Sequence, residues 1–171
     1  MFILDKKILN KISSFNCMVL MKNNATPLPL TLCFIDDDKE DLEIFEQAVE
    51  GLVEKVALFR IGADFLTSMQ NPPLRALIFV DLNMPSFTGF QIIEYLRKAG
   101  SFTTLPIIVL STSNDYRSQQ TCWDLGADYY IVKPNRIDEL THALKYVIGV
   151  DWSKNVRQRD AFVYSKKNIE I

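Results

Sequence analysis

Short runs of consecutive apolar residues alternate along this chain with longer stretches in which apolar positions recur every three or four residues. The first pattern reads as buried parallel strands, the second as helices with one core-facing side. From about residue 30 the alternation repeats five times, with strands predicted at 30–35, 55–60, 76–80, 107–110 and 129–132. The first helix carries Leu42, Phe45, Val49 and Leu52 at helical spacing. Asp38 suits its N-cap, Glu40 and Asp41 complement its positive end, and Gly51 is its stop. A short helix is expected over 63–69, before Asn71-Pro72-Pro73 breaks the chain. Gly89 opens the next helix, which turns Phe90, Ile93 and Leu96 inward and ends near Gly100. A fourth runs from an Asn114 cap to Leu125, stopped by Gly126, and the last repeats Ile137, Leu140, Leu144 and Val147. Strands alternating with helices imply an α/β, (βα)5 three-layer sandwich, a parallel sheet with helices on both faces.

Length and composition narrow the picture. At 171 residues and 48% hydrophobic content, the chain suits one well-packed domain and is short for two. Residues 30–149 form that domain, 1–29 an N-terminal extension and 150–171 a C-terminal tail. Met21-Lys22-Asn23-Asn24 resembles a natural translation start, which would leave residues 1–20 outside the functional protein. A net charge of −2 gives no field that would draw nucleic acid or an anionic membrane. No run of 18 or more apolar residues is present, and the amino terminus lacks a secretory pattern. Cys17, Cys33 and Cys122 are odd in number and scattered, so a reducing, cytoplasmic setting is expected. The single histidine, His142, cannot build a His-Glu-x-x-His zinc site and falls on the last helix as a surface residue.

Chemistry gathers at the ends of the apolar runs. Leu32-Cys33-Phe34-Ile35 leads into Asp36-Asp37-Asp38, Leu77-Ile78-Phe79-Val80 into Asp81, and Tyr130-Ile131-Val132 into Lys133. Ligands of open α/β sheets bind outside the carboxyl ends of the strands. In the flavodoxin-like strand order 2-1-3-4-5 the first and third strands are neighbours, which brings Asp36, Asp37 and Asp81 together. Carboxylates that close raise one another's pKa unless a cation is near. Such a site takes a divalent cation and a phosphoryl group; Mg²⁺ suits it, needing few carboxylates beside a phosphate.

Phe34-Ile35-Asp36-Asp37-Asp38, Val80-Asp81-Leu82-Asn83-Met84-Pro85, Val109-Leu110-Ser111 and Ile131-Val132-Lys133-Pro134 together resemble the response-regulator receiver domain of two-component signalling, over about residues 30–149. The resemblance implies a stand-alone, phosphorylatable regulator. Asp81 would accept a phosphoryl group from a histidine kinase or a histidine phosphotransfer protein, forming an aspartyl phosphate. It makes Asp37 and Asp81 direct Mg²⁺ ligands, with Asn83 contributing its backbone carbonyl and Asp36 holding one of the ion's waters. Lys133 and Ser111 would contact the phosphoryl oxygens, Thr112 would narrow access to them, and Tyr130 would reorient with Ser111. The change would bias a protein-binding surface made of the fourth helix, fifth strand and last helix. By the same analogy Lys133-Pro134 is a cis peptide. Thr88, where an acidic residue is common in the family, should not touch the chemistry.

Simpler roles suit several neighbours. Asp38, Glu40 and Asp41 read as helix-cap and solvated residues, and Phe45 and Trp123 as packing. About 22 residues follow the last helix, too few for a DNA-binding module, so output is expected through a protein partner. Whether two copies pair is open. A phosphorylation-independent scaffold is the alternative, although such proteins usually lack an acidic residue or the lysine. An aspartyl-phosphate hydrolase is disfavoured because Asn83 stands where those enzymes place a proton-transferring Asp. The protein is therefore not expected to be an enzyme beyond turning over its own phosphoryl group.

Overall fold

The computed structural model describes residues 30–99, 104–154 and 157–165. Five parallel strands, β1 (Thr31–Ile35), β2 (Lys55–Phe59), β3 (Ala76–Val80), β4 (Ile107–Ser111) and β5 (Tyr129–Val132), form one sheet in the order β2-β1-β3-β4-β5. The helices between and after them are α1 (Lys39–Ala48), α2 (Gly62–Ser68), α3 (Gly89–Lys98), α4 (Tyr116–Leu125) and α5 (Ile137–Gly149). This is the doubly wound, flavodoxin-like arrangement expected from the sequence.

β1, β3 and β4 are buried along their whole length, which is why they read as unbroken apolar runs rather than alternating ones. Successive side chains still go to opposite faces. Cys33, Ile35, Ile78, Val80, Ile107 and Val109 pack under α2, α3 and α4. Leu32, Phe34, Leu77, Phe79, Ile108 and Leu110 pack under α1 and α5. Phe45 of α1 sits between Phe34 and Phe79, with ring centroids 4.5 and 5.1 Å away. The last helix buries Leu140, Ala143, Leu144 and Val147, whereas Ile137, at its first position, is exposed. In α3 the deepest residues are Ile92, Ile93 and Leu96, and Phe90 is only half-buried.

The caps differ from expectation in places. Asp38 caps α1 as predicted, accepting from the Glu40 amide at 2.8 Å. The helix ends at Ala48, three residues before Gly51, whose φ of 71° serves the turn beyond it. Asp115, not Asn114, caps α4, accepting from the Ser118 amide at 2.9 Å; Asn114 instead accepts from the Gln119 side chain. Two adjacent cap-competent residues cannot be ranked by type alone, and the chain direction entering the helix decides. Gly126 ends α4 in the left-handed region at φ 100°. Thr88 closes a reciprocal capping box with Gln91, which gives that residue a structural role.

The Lys133-Pro134 bond is trans, since no cis peptide occurs among the described residues. That corrects the expectation drawn by analogy: trans is the lower-energy isomer by about 0.5–1 kcal/mol. Here the Lys133 amide reaches the Ser111 carbonyl at 2.8 Å with the bond in that form. His142 is exposed, and Cys33 and Cys122 are buried, their thiols pushed up to about 11 and about 12 by burial. Cys17, the candidate start at Met21 and Gly100 lie outside the described residues; the helix expected to end near Gly100 stops at Lys98, with Ala99 as its C-cap. No helix among the described residues is long and apolar enough to cross a membrane.

Candidate functional site

The sheet ladder itself delivers the functional side chains. The Asp36 amide, one residue past β1, donates to the Phe59 carbonyl at 3.0 Å. The Asp81 amide, one residue past β3, donates to the Ile35 carbonyl at 3.0 Å. β1 and β3 pair in register from Thr31 with Ala76 to Ile35 with Val80, so the two aspartates leave the sheet side by side. Backbone pairing thus places each carboxylate where the next residue can no longer continue a strand.

Carboxylate oxygens of Asp36, Asp37 and Asp81 lie within 4.8 Å of one another. Asp36 is 2% and Asp81 4% exposed, while Asp37 is half-buried at the mouth. Burial pushes the Asp36 carboxyl up to about 6, against the opposing pull of its Lys133 hydrogen bond. An all-oxygen donor set of this density is the kind that hard divalent cations take. The donors present therefore fit Mg²⁺ by chemistry.

Lys133, just past β5, reaches over β4 to the same point. Its Nζ lies 2.6 Å from Asp36 Oδ2, 2.7 Å from Asp41 Oδ2 and 3.2 Å from Asp81 Oδ1. Burial alone would lower the lysine pKa, yet the hydrogen bonds to Asp36 and Asp41 outweigh it and hold the ammonium well above its usual range. A mostly buried cation stays charged here because carboxylates surround it.

Asp41 is the residue that sequence reasoning missed. It was expected to be a solvated residue of the first helical turn. Three places after the N-cap, it instead turns its carboxylate onto Lys133. The one available signal was its position in the first turn after a strand-end acidic pair, a place that faces the ligand edge of the sheet. Arg60, after β2, was also unforeseen: its guanidinium donates twice to the Asp37 carbonyl, at 3.1 and 3.2 Å.

The remaining predicted residues fall around Asp81. The Asn83 amide donates to Asp81 Oδ2 at 2.6 Å, fixing the carboxylate from the loop side. Ser111, fully buried at the end of β4, is tied to Lys133 through the backbone pair between β4 and β5. Its hydroxyl accepts a long contact of 3.4 Å from the Ser113 amide. Thr112 is exposed beside it. Tyr130 is fully buried, and its phenol donates to the Ser113 carbonyl at 2.7 Å. Pro134 follows Lys133 at the rim. Asp38 and Glu40 keep their side chains exposed, and the Asp38 backbone N–H donates to Asp36 Oδ1 at 2.9 Å.

A sequence profile of the response regulator receiver domain matches residues 32–145. The two-component response regulator ARR6 of Arabidopsis thaliana is 25% identical over 149 residues, covering 80% of this chain and 80% of that protein. The transcriptional regulatory protein GltR of Pseudomonas aeruginosa is 27% identical over 134 residues, or 78% of this chain, but the match spans only 55% of GltR. Among solved structures, the response regulator TrrA of Thermotoga maritima in complex with Mg²⁺-BeF shares the fold, with a TM-score of 0.58 at 24% identity. That likeness covers 68% of this chain and 97% of the other. The order of the sheet, the strand-end acids and the profile match agree: this chain belongs to the response regulator receiver domain family of two-component systems.

Proposed function

We propose that this protein is a phosphoryl-accepting regulator in which Asp81 is the acceptor. The observation that carries the reading is the meeting of Asp36, Asp37 and Asp81 with the Lys133 ammonium at the carboxyl edge of the sheet. The donor would be a phosphohistidine on a sensor kinase or phosphotransfer protein. An Asp81 oxygen attacks the phosphorus, a P–O bond forms as the P–N bond breaks, and the electron pair returns to the imidazole. Phosphoryl transfer needs alignment and charge neutralisation more than covalent help.

Each side chain then has a task. Asn83 holds one Asp81 oxygen through its backbone N–H, and the Lys133 ammonium lies against the other. Lys133 neutralises charge on the incoming oxygens, and the Ser111 hydroxyl donates to one of them. Thr112 limits the approach of water. Asp37 and Asp81, with the Asn83 carbonyl and with Asp36 through a water, would hold Mg²⁺, which supplies further neutralisation of the transferring group. TrrA is a relative that takes Mg²⁺ with beryllofluoride, in keeping with that donor set.

Beyond its own phosphorylation and dephosphorylation the protein catalyses nothing in this reading. It works in the cytoplasm, and its output is a change at the α4–β5–α5 surface read by a protein partner. Incubation with Mg²⁺ and a small acyl phosphate should add one phosphoryl group by intact mass, and Asp81→Asn should abolish it. An unchanged mass for the wild type would leave only a receiver-fold scaffold.

A further inference from the structure

The chain beyond α5 returns to the sheet and closes its edge. Tyr130 donates its amide to the Phe162 carbonyl at 2.8 Å, and its own carbonyl accepts from the Tyr164 amide at 2.8 Å. Tyr130 and Val163 thereby form a parallel bridge. β5 is the last strand of the sheet, so these are backbone groups that β4 cannot satisfy. Phe162 is 3% exposed, with ring centroids 5.2 Å from Trp123 and 6.1 Å from Tyr130. Arg157 stacks 4.0 Å over the Trp123 ring and donates to the Ala127 carbonyl at 2.8 Å and to the Trp123 carbonyl. Arg159 lies 5.3 Å from the same ring. Backbone pairing, a buried aromatic anchor and cation–π stacking are how an extended peptide is held on a sheet edge.

Tyr130 is where this segment meets the site. Its ring is fully buried against Phe162, and its phenol holds the Ser113 carbonyl, while the Ser113 amide points to Ser111 Oγ. A Tyr130 ring leaving this position would give up the Ser113 bond and disturb Phe162. The docked segment therefore favours the buried ring and the present course of residues 111–113.

We propose that the β5 edge, with the α4 face around Trp123, is a docking surface whose ligand is the chain's own segment 157–165. Occupancy of this surface and occupancy of the Asp81 site strengthen each other through Tyr130. The coupling rests on the acceptor reading above. A phosphoryl group held by Ser111 acts on the same short loop that the docked segment steadies through Ser113. Two ligands that favour one arrangement raise each other's affinity by the same factor.

Hydrogen exchange on the full chain tests this, with Mg²⁺-beryllofluoride as the phosphoryl mimic. Binding is read at the Asn83 amide, a response that Asp81→Asn must lose. With the mimic bound, the Tyr130 and Tyr164 amides should exchange about 5-fold more slowly, at the lower end of ordinary couplings. By reciprocity, Phe162→Ala should weaken the mimic's affinity by about 5-fold. Arg157→Ala, which removes the stack on Trp123 and the hydrogen bonds to the Trp123 and Ala127 carbonyls but leaves the buried Phe162 in place, should weaken it in the same direction and guards against a folding defect in the first variant. If Asn83 responds and Tyr164 exchange is unchanged, the coupling is wrong while the acceptor reading stands. If the wild type shows no response at Asn83, the acceptor reading fails and takes the coupling with it.

Discussion

Gly89→Ala is the most demanding test of how the acceptor is positioned. Gly89 opens α3 beneath the loop that carries Asp81, and its amide donates to the Leu82 carbonyl at 3.2 Å. A Cβ at this position would stand 2.1 Å from the Asp81 carbonyl oxygen and 2.9 Å from both the Asp81 carbonyl carbon and Leu82 Cα. Close carbon–oxygen contacts in proteins lie at about 3.3 Å. Backbone must therefore yield by about 1 Å, and no flexible side chain is available to absorb it. Overpacking of this kind costs about 1–3 kcal/mol. The better helix propensity of Ala returns less than about 1 kcal/mol. A net loss of about 2 kcal/mol is expected, a factor of roughly 30 in the folded-to-unfolded ratio.

The loss should not stay confined to stability. The displaced atoms belong to Asp81 and Leu82, so the carboxylate would move relative to Lys133 at 3.2 Å and the Asn83 amide at 2.6 Å. Mg²⁺ should then stabilise the variant less than it stabilises the wild type. Urea unfolding followed by tryptophan fluorescence, with and without Mg²⁺, measures both effects. Gly149→Ala is the control, because a Cβ there meets nothing within 4 Å. A Gly89→Ala protein within about 0.5 kcal/mol of wild type, with an unchanged response to Mg²⁺, would refute the close-approach argument.

Two further outcomes follow from the charges. Burial holds the Asp36 carboxyl at about 6, above its ordinary 3.8. Below the ordinary value both folded and unfolded chains carry the proton; between the two values only the fold keeps it. Stability of the metal-free protein should accordingly fall as pH rises through this window, by about 1.4 kcal/mol per unit, and level off above it. Asp36→Asn removes this contribution, so the wild-type-minus-variant difference in urea stability should drift by about 2–3 kcal/mol from pH 4 to pH 7, and a flat difference would contradict the assignment. Lys133→Met leaves Asp36, Asp41 and Asp81 without their shared ammonium. Metal-free stability at neutral pH should drop by about 3–5 kcal/mol and recover substantially in saturating Mg²⁺; an unaltered metal-free midpoint would mean that Lys133 does not balance the cluster.

The sequence by itself determined the layered architecture and the places where side chains leave the sheet. Buried parallel strands need unbroken apolar runs, and a strand must stop where a charged residue follows, so Asp36, Asp81 and Lys133 mark strand ends without any knowledge of the fold. Helical periodicity located the inward faces of α1 and α5 for the same local reason. What only the tertiary structure decided are the contacts between distant segments. Asp41 looks like an ordinary first-turn acid until β5 brings Lys133 to it. Arg60 gains its partner only because β2 lies beside β1. The trans bond before Pro134 and the choice of Asp115 over Asn114 as a cap turn on the path of the backbone, which residue type does not encode. The tail mixes basic residues with Trp152, Phe162 and Tyr164, a composition that does not say what those side chains touch. Its place on β5 depends on the sheet edge and on the Trp123 indole of α4, which only the assembled sheet brings side by side.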